Sequence, residues 1–208
     1  MKTNLSDVTL VLDRSGSMES VRGEAEKGVN AFIEDQKKQD GECLLTLVQF
    51  DTEYEFVHEG VPIADVPPYK LVPRGMTALL DAVGQAINQT GERISLTPEN
   101  DRPGLVVFVI LTDGHENSSH EFTKTQIQEM VRRQTDTYKW QFTFLGADSK
   151  AFDEAAGMGI RSAAAYDKGK TPQAFAGASG NLSRMRSSSA SGQSVSSSYT
   201  DQERKEMS

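Results

Sequence analysis

Three side chains that offer oxygen stand at alternate positions in Asp13-Arg14-Ser15-Gly16-Ser17, directly after a short apolar run. A loop of that pattern can turn a carboxylate and two hydroxyls towards one point, while the glycine lets backbone approach closely. Oxygens of this kind suit a hard divalent cation, Mg²⁺ first and Mn²⁺ or Ca²⁺ less selectively, but three protein ligands leave its octahedral shell incomplete. Further oxygens lie in comparable settings. Thr77 sits in Gly75-Met76-Thr77 ahead of a helical stretch, and Asp113 sits in Leu111-Thr112-Asp113-Gly114 after the most apolar run of the chain. Taken singly, Ser17 and Thr77 also read as helix N-caps and Asp113-Gly114 as an ordinary turn. Taken together, Asp13, Ser15, Ser17, Thr77 and Asp113 occur at element boundaries in an order that favours one shared cation site.

Those residues need a scaffold that brings separate boundaries to one place. The chain alternates β-branched apolar runs with amphipathic stretches, the pattern of a mostly parallel sheet covered by helices on both faces. Val8-Thr-Leu-Val-Leu12 reads as a buried central strand, and Leu105 to Leu111 as the strongest strand. Cys43 to Phe50 and Tyr54 to Val61, joined by Asp51-Thr52-Glu53, predict an antiparallel edge hairpin. Trp140 to Leu145 and the weaker Ser162 to Tyr166 complete the strand set. Helices are expected from Met18 to about Lys38, around Leu80, Val83, Ala86 and Ile87, and after a Thr123/Gln126 capping box. A short one spans Lys150 to Ala156, and another starts at Thr171-Pro172 and packs through Phe175, Ala178, Leu182 and Met185. If the Leu105 strand lies beside the Val8 strand, Asp13 and Asp113 leave the sheet at the same edge, where ligands bind in open α/β sheets.

Asp-x-Ser-x-Ser after a first strand, a later Thr and a later Thr-Asp-Gly resemble the metal-ion-dependent adhesion site of von Willebrand factor A domains. The resemblance covers about residues 5 to 186, and the Leu-Asp-Arg-Ser-Gly-Ser-Met and Pro-Arg-Gly-Met-Thr-Ala-Leu-Leu-Asp runs are closer in flavour to compact microbial and phage members. It implies a single doubly wound, Rossmann-like α/β domain with a six-stranded sheet in the order 3-2-1-4-5-6 and one antiparallel edge strand. It also implies that Ser15, Ser17 and Thr77 touch the metal directly while Asp13 and Asp113 act mainly through water. An acidic side chain of a partner protein would complete the shell. Neutral hydroxyls next to the ion leave it enough positive charge to attract such a carboxylate.

Bulk properties bound the alternatives. At 208 residues and net charge −8, the chain has room for one sizeable core, and its charge supplies no drive towards nucleic acid or anionic membrane. Its apolar runs are too short to cross a bilayer and its first residues do not read as a secretion signal, so a soluble, cytoplasmic protein is expected. The lone Cys43 excludes an internal disulfide and reads as a core strand residue. From Ser187 the composition turns serine-rich, predicting a domain over 1–186 and a flexible tail over 187–208. His115 and His120 are five residues apart, about 140° round a helix, so they do not form a zinc-protease pair, though His115 and Glu116 stand beside the expected cation. No nucleophile elbow, dinucleotide fingerprint or P-loop is present. The chain is therefore expected not to be an enzyme. The rival expectation is a structural or assembly subunit, of an ATPase complex or phage particle, that uses the edge hairpin or the tail instead of the metal.

Overall fold

The computed structural model describes all 208 residues. Six strands, β1 (Lys2–Asp13), β2 (Glu42–Phe50), β3 (Tyr54–Pro62), β4 (Pro103–Thr112), β5 (Gln141–Gly146) and β6 (Ser162–Ala165), form one sheet in the order β3-β2-β1-β4-β5-β6. Only the β2–β3 pair is antiparallel. Crossovers are made by α1 (Arg22–Lys37), α2 (Leu79–Leu96), α3 (Lys124–Tyr138) and α4 (Ala151–Gly157), followed by α5 (Thr171–Ala190) and α6 (Asp201–Met207). The expected fold class and strand order are those observed.

Alternation along each strand feeds two cores. Val8, Leu10 and Leu12 of β1 and Val107, Val109 and Leu111 of β4 pack under α1 and α5 with Val29, Phe32, Phe175 and Leu182. The intervening Val11, Phe108 and Ile110 face the opposite way, against Val83, Ile87, Ile127 and Ala155 of α2, α3 and α4. Burial on both faces explains the continuous apolar runs, and full burial of each such side chain contributes about 1.5–3 kcal/mol. The helix starts follow their sequence signals. Thr123 and Gln126 form a reciprocal capping box at α3, and Pro172 occupies the first turn of α5. No helix is long and apolar enough to cross a membrane.

The serine-rich end differs from the expected flexible tail. The boundary at 186/187 falls inside α5, which continues to Ala190. Buried Arg186 donates to the carbonyls of Gln36, Asp40 and Gly41 and so closes the end of α1. Beyond α5 the chain crosses the edge beside β6, where Ser197 O accepts from Ser162 Oγ at 2.5 Å and from Asn181 Nδ2 at 2.8 Å. Tyr199 is buried, α6 begins with a Thr200/Glu203 capping box, and Met207 is fully enclosed in the α1/α5 core. Composition averaged over the segment conceals this, because a few widely spaced apolar anchors suffice when small serines let the backbone lie close to its neighbours.

Candidate metal centre

Parallel pairing of Leu12 with Leu111 brings the ends of β1 and β4 together, so Asp13 lies beside Thr112 and Asp113 at the carboxyl edge of the sheet. Asp13 is wholly buried. Its Oδ1 accepts the Ser15 N–H at 2.6 Å and its Oδ2 accepts the Thr112 hydroxyl at 2.5 Å. Ser15 Oγ and Ser17 Oγ are 3.0 Å apart, and Ser17 Oγ donates to Asp113 Oδ1 at 2.6 Å. The first loop therefore closes onto the β4 loop through oxygen atoms.

Thr77 reaches the same point by way of two neighbours. Its N–H donates to Asn117 Oδ1 at 2.9 Å, and its carbonyl accepts the Asn117 N–H at 3.1 Å. The next amide, Ala78 N–H, donates to Asp51 O at 2.7 Å. Convergence shows at Gly114, where a Cβ would stand 3.2 Å from Thr77 Oγ1 and 3.7 Å from both Asp13 Oδ2 and Ser17 Oγ. Three loops thus surround one small space that a side chain at residue 114 would enter. Thr77, Asp13 and Ser17 border that space, and Ser15 and Asp113 join them through their hydrogen bonds with Ser17.

The plainer readings of the hydroxyls do not hold. The 3₁₀ turn over Gly16–Val21 has no side-chain cap, and the residue before α2 is Ala78, also without one. The first amides of α2 are instead satisfied by the 114–122 loop: Leu80 N–H donates to Glu116 Oε2 at 2.9 Å and Asp81 N–H to Ser119 Oγ at 3.2 Å. Glu116 also accepts from Ser118 N–H and from the Ser119 amide and hydroxyl. Asp81 returns the support by accepting three amides of His120, Glu121 and Phe122 at 2.7–2.9 Å. With α2 capped across space, the Thr77 hydroxyl is released for the site.

Several neighbours of the centre carry no signal in the sequence. Arg14, between the predicted ligands, is buried and pairs with Asp51 at 2.7 Å and Glu55 at 2.9 Å, while Arg74 reaches the same Asp51 oxygen at 2.8 Å. Its carbonyl accepts the Arg74 N–H at 2.8 Å, and Gly16 N–H donates to Gly75 O at 3.2 Å, which fastens the Ser15 loop to the Thr77 loop. The glycine that this needs is Gly75, at φ +68° with a Cβ position 2.7 Å from Thr52 Oγ1, whereas Gly16 has ordinary clearance of 3.4 Å. Lys168, from the turn before α5, lies 2.7 Å from Asp113 Oδ2. Nothing in local spacing signals these pairs, since Arg14 and Asp51 are 37 residues apart and Asp113 and Lys168 are 55 apart.

The electrostatics are uneven. Burial pushes the Asp13 carboxyl up to about 6, against the pull of its Thr112 and Ser15 hydrogen bonds and with a smaller push from Asp113. At Asp51, by contrast, Arg74, the Glu53 N–H and Arg14 outweigh burial and hold the carboxyl below its ordinary value. The donor set at the centre is hydroxyl and carboxylate oxygen without sulfur or imidazole, and the fold contains no group of three or more His, Cys, Asp or Glu that could hold a metal. That chemistry fits a hard cation held by Ser15, Ser17 and Thr77 with Asp13 and Asp113 behind them. Ser15 and Thr77 are nearly buried and Ser17 is exposed, so the centre opens to solvent on the Ser17 side.

No family model and no curated protein matches the chain by sequence. Among solved structures it is similar to a von Willebrand factor type A protein from Catenulispora acidiphila, with a TM-score of 0.59 and 14% identity over 89% of this chain and 42% of that one. It is also similar to proximal thread matrix protein 1 of the mussel byssus with a zinc-occupied metal-ion-dependent adhesion site, at TM-score 0.57 and 15% identity over 86% of this chain and 46% of that one. A third likeness is to the ArnB paralog VWA2 from Sulfolobus acidocaldarius, at TM-score 0.53 and 14% identity over 86% of this chain and 44% of that one. This chain spans less than half the length of each of them. The fold is that of a von Willebrand factor A domain.

Proposed function

We propose that this chain is a divalent-cation-dependent interaction module, with Mg²⁺ as the preferred ion, that binds an Asp or Glu side chain of a partner protein at the centre bounded by Ser15, Ser17 and Thr77. The observation that carries the reading is the gathering of Thr77 Oγ1, Asp13 Oδ2 and Ser17 Oγ around one glycine. A bound divalent ion would supply Lewis-acid attraction for an incoming carboxylate. Ser15, Ser17 and Thr77 would present uncharged oxygens to it, so that the charge at the open side is not cancelled from within. Asp13 and Asp113 stand behind the hydroxyls and orient them, Asp113 through Ser17 and Asp13 through the Ser15 amide. The zinc occupying the same kind of site in the mussel protein supports a divalent cation as the resident.

Two features favour docking over the rival readings. Glu116, whose carboxylate a hydrolytic reading would need as a base, spends it on four donors of the loop and of α2. The serine-rich end is engaged by its own domain through Tyr199 and Met207, which leaves the cation centre as the better-equipped route to a partner. The test is capture of partners from the native host with Mg²⁺ and with a chelator, alongside Asp13→Ala. Capture should require both the ion and Asp13 while the variant keeps the wild-type circular dichroism; equal capture by metal-free protein would defeat the proposal.

A further inference from the structure

The two aspartates of the centre differ in a way the proposed function does not need. Asp13 has only neutral partners, a hydroxyl and an amide. The equally enclosed Asp113 side chain divides its oxygens between Ser17 Oγ and the Lys168 ammonium, at 2.6 and 2.7 Å. Lys168 is the only cationic side chain of the protein that forms an ion pair with any of the five site residues. The turn that presents it is fastened on every side. Tyr166 N–H donates to Gly146 O at 2.9 Å, Asp167 N–H to Met207 O at 2.9 Å, and Thr171 Oγ1 to Lys168 O at 2.8 Å. The Asp167 carboxylate closes the turn by accepting Gly169 N–H at 2.8 Å. The Lys168 side chain itself remains 42% exposed.

We infer that Lys168 is a tethered counter-ion that sets the strength of divalent-cation binding, neutralising Asp113 when the centre is empty and weakening the hold on the ion when it is filled. The inference rests on reading the five residues as a cation centre. A buried carboxylate left unpaired is unfavourable, so an internal ammonium lets the loops assemble without the metal. The same positive charge next to the centre repels an incoming divalent ion. A compact ammonium on four methylenes can withdraw to solvent where a packed guanidinium could not, so the centre stays loadable. The outcome is a protein whose fold does not depend on the ion and whose affinity is held below what two free carboxylates would give.

Titration of the full chain with Mn²⁺ by calorimetry, together with thermal unfolding with and without Mn²⁺, separates this inference from the reading beneath it. Lys168→Met and Lys168→Gln should each bind Mn²⁺ about tenfold more tightly than wild type, with the gain shrinking at high salt. Both should unfold at a lower temperature than wild type without metal and gain more on adding it, while Lys168→Arg should not bind more tightly than wild type. Binding by the neutral variants but not by wild type would support the same role in stronger form. If Asp13→Ala abolishes binding but the neutral variants match wild type or bind more weakly, the centre stands and the counter-ion role is overturned. If neither wild type nor the neutral variants bind Mn²⁺, the cation centre itself falls, and this inference with it.

Discussion

Asp13 and Arg14 are adjacent in sequence yet belong to two clusters of unequal charge balance. On one side, Asp51 and Glu55 face Arg14 and Arg74, two carboxylates against two guanidiniums. On the other, Asp13 and Asp113 face Lys168 alone. The carboxyl of Asp51 is held below its usual value, whereas that of Asp13 is pushed up to about 6. The first cluster ties the ends of β1 and β2 to the Thr77 loop, and the second ties the ends of β1 and β4 to each other and to the turn before α5. The difference is that the first is balanced and serves as a support, while the second has more negative charge than positive. A deficit of counter-charge at a preformed cluster of oxygens marks the place for an ion better than the presence of carboxylates does.

That contrast is sharpest at Asp51. Asp51→Ala would leave the buried Arg14 guanidinium with only the exposed Glu55 carboxylate and loosen both loops, and should lower unfolding free energy by about 2–4 kcal/mol, read from denaturant titration. A loss below about 1 kcal/mol would show that the balanced cluster supports nothing. Gly114→Ala acts on the other cluster. With its new Cβ about 3.2 Å from Thr77 Oγ1, it should reduce Mn²⁺ affinity about tenfold or more in calorimetry while changing unfolding free energy by less than about 1 kcal/mol. Unchanged affinity would place the ion elsewhere.

Acid gives the smallest effect and tests the support alone. Because the folded Asp51 carboxyl lies below its ordinary value of 3.8, its contribution is fully present above that value and is lost as pH falls through the folded value. Metal-free wild type should therefore lose more stability between pH 5 and pH 3 than Asp51→Asn does, by denaturant titration at each pH. Parallel pH profiles would remove the ion-pair account of that cluster.

The same division explains what the sequence revealed. The oxygen-bearing loop was legible because its information is local: alternate oxygens at the end of a strand buried on both faces, with Thr77 and Asp113 at boundaries of the same kind. The sheet was legible for the same reason, since the runs at Val8 and Leu105 are apolar on both faces. Ion pairs such as Arg14–Asp51 and Asp113–Lys168 were not, because each partner is an unremarkable polar loop residue until the fold brings the loops together. Gly16 drew attention by its place in the motif, yet it has ordinary clearance; the glycine of these loops with no room for a side chain is Gly75, where a Cβ would stand 2.7 Å from Thr52 Oγ1, set by the approach of another loop. At the C-terminus, a serine-rich average hid Tyr199 and Met207, whose burial is decided by the groove that receives them.

A crystal of the full chain soaked in Mn²⁺ and measured at the manganese absorption edge addresses the central claim most directly. The account predicts one anomalous peak bounded by Ser15 Oγ, Ser17 Oγ and Thr77 Oγ1, with Asp13 and Asp113 behind them and one side of the ion turned to solvent. An accessible centre with no peak, or a peak coordinated by other residues, would contradict it.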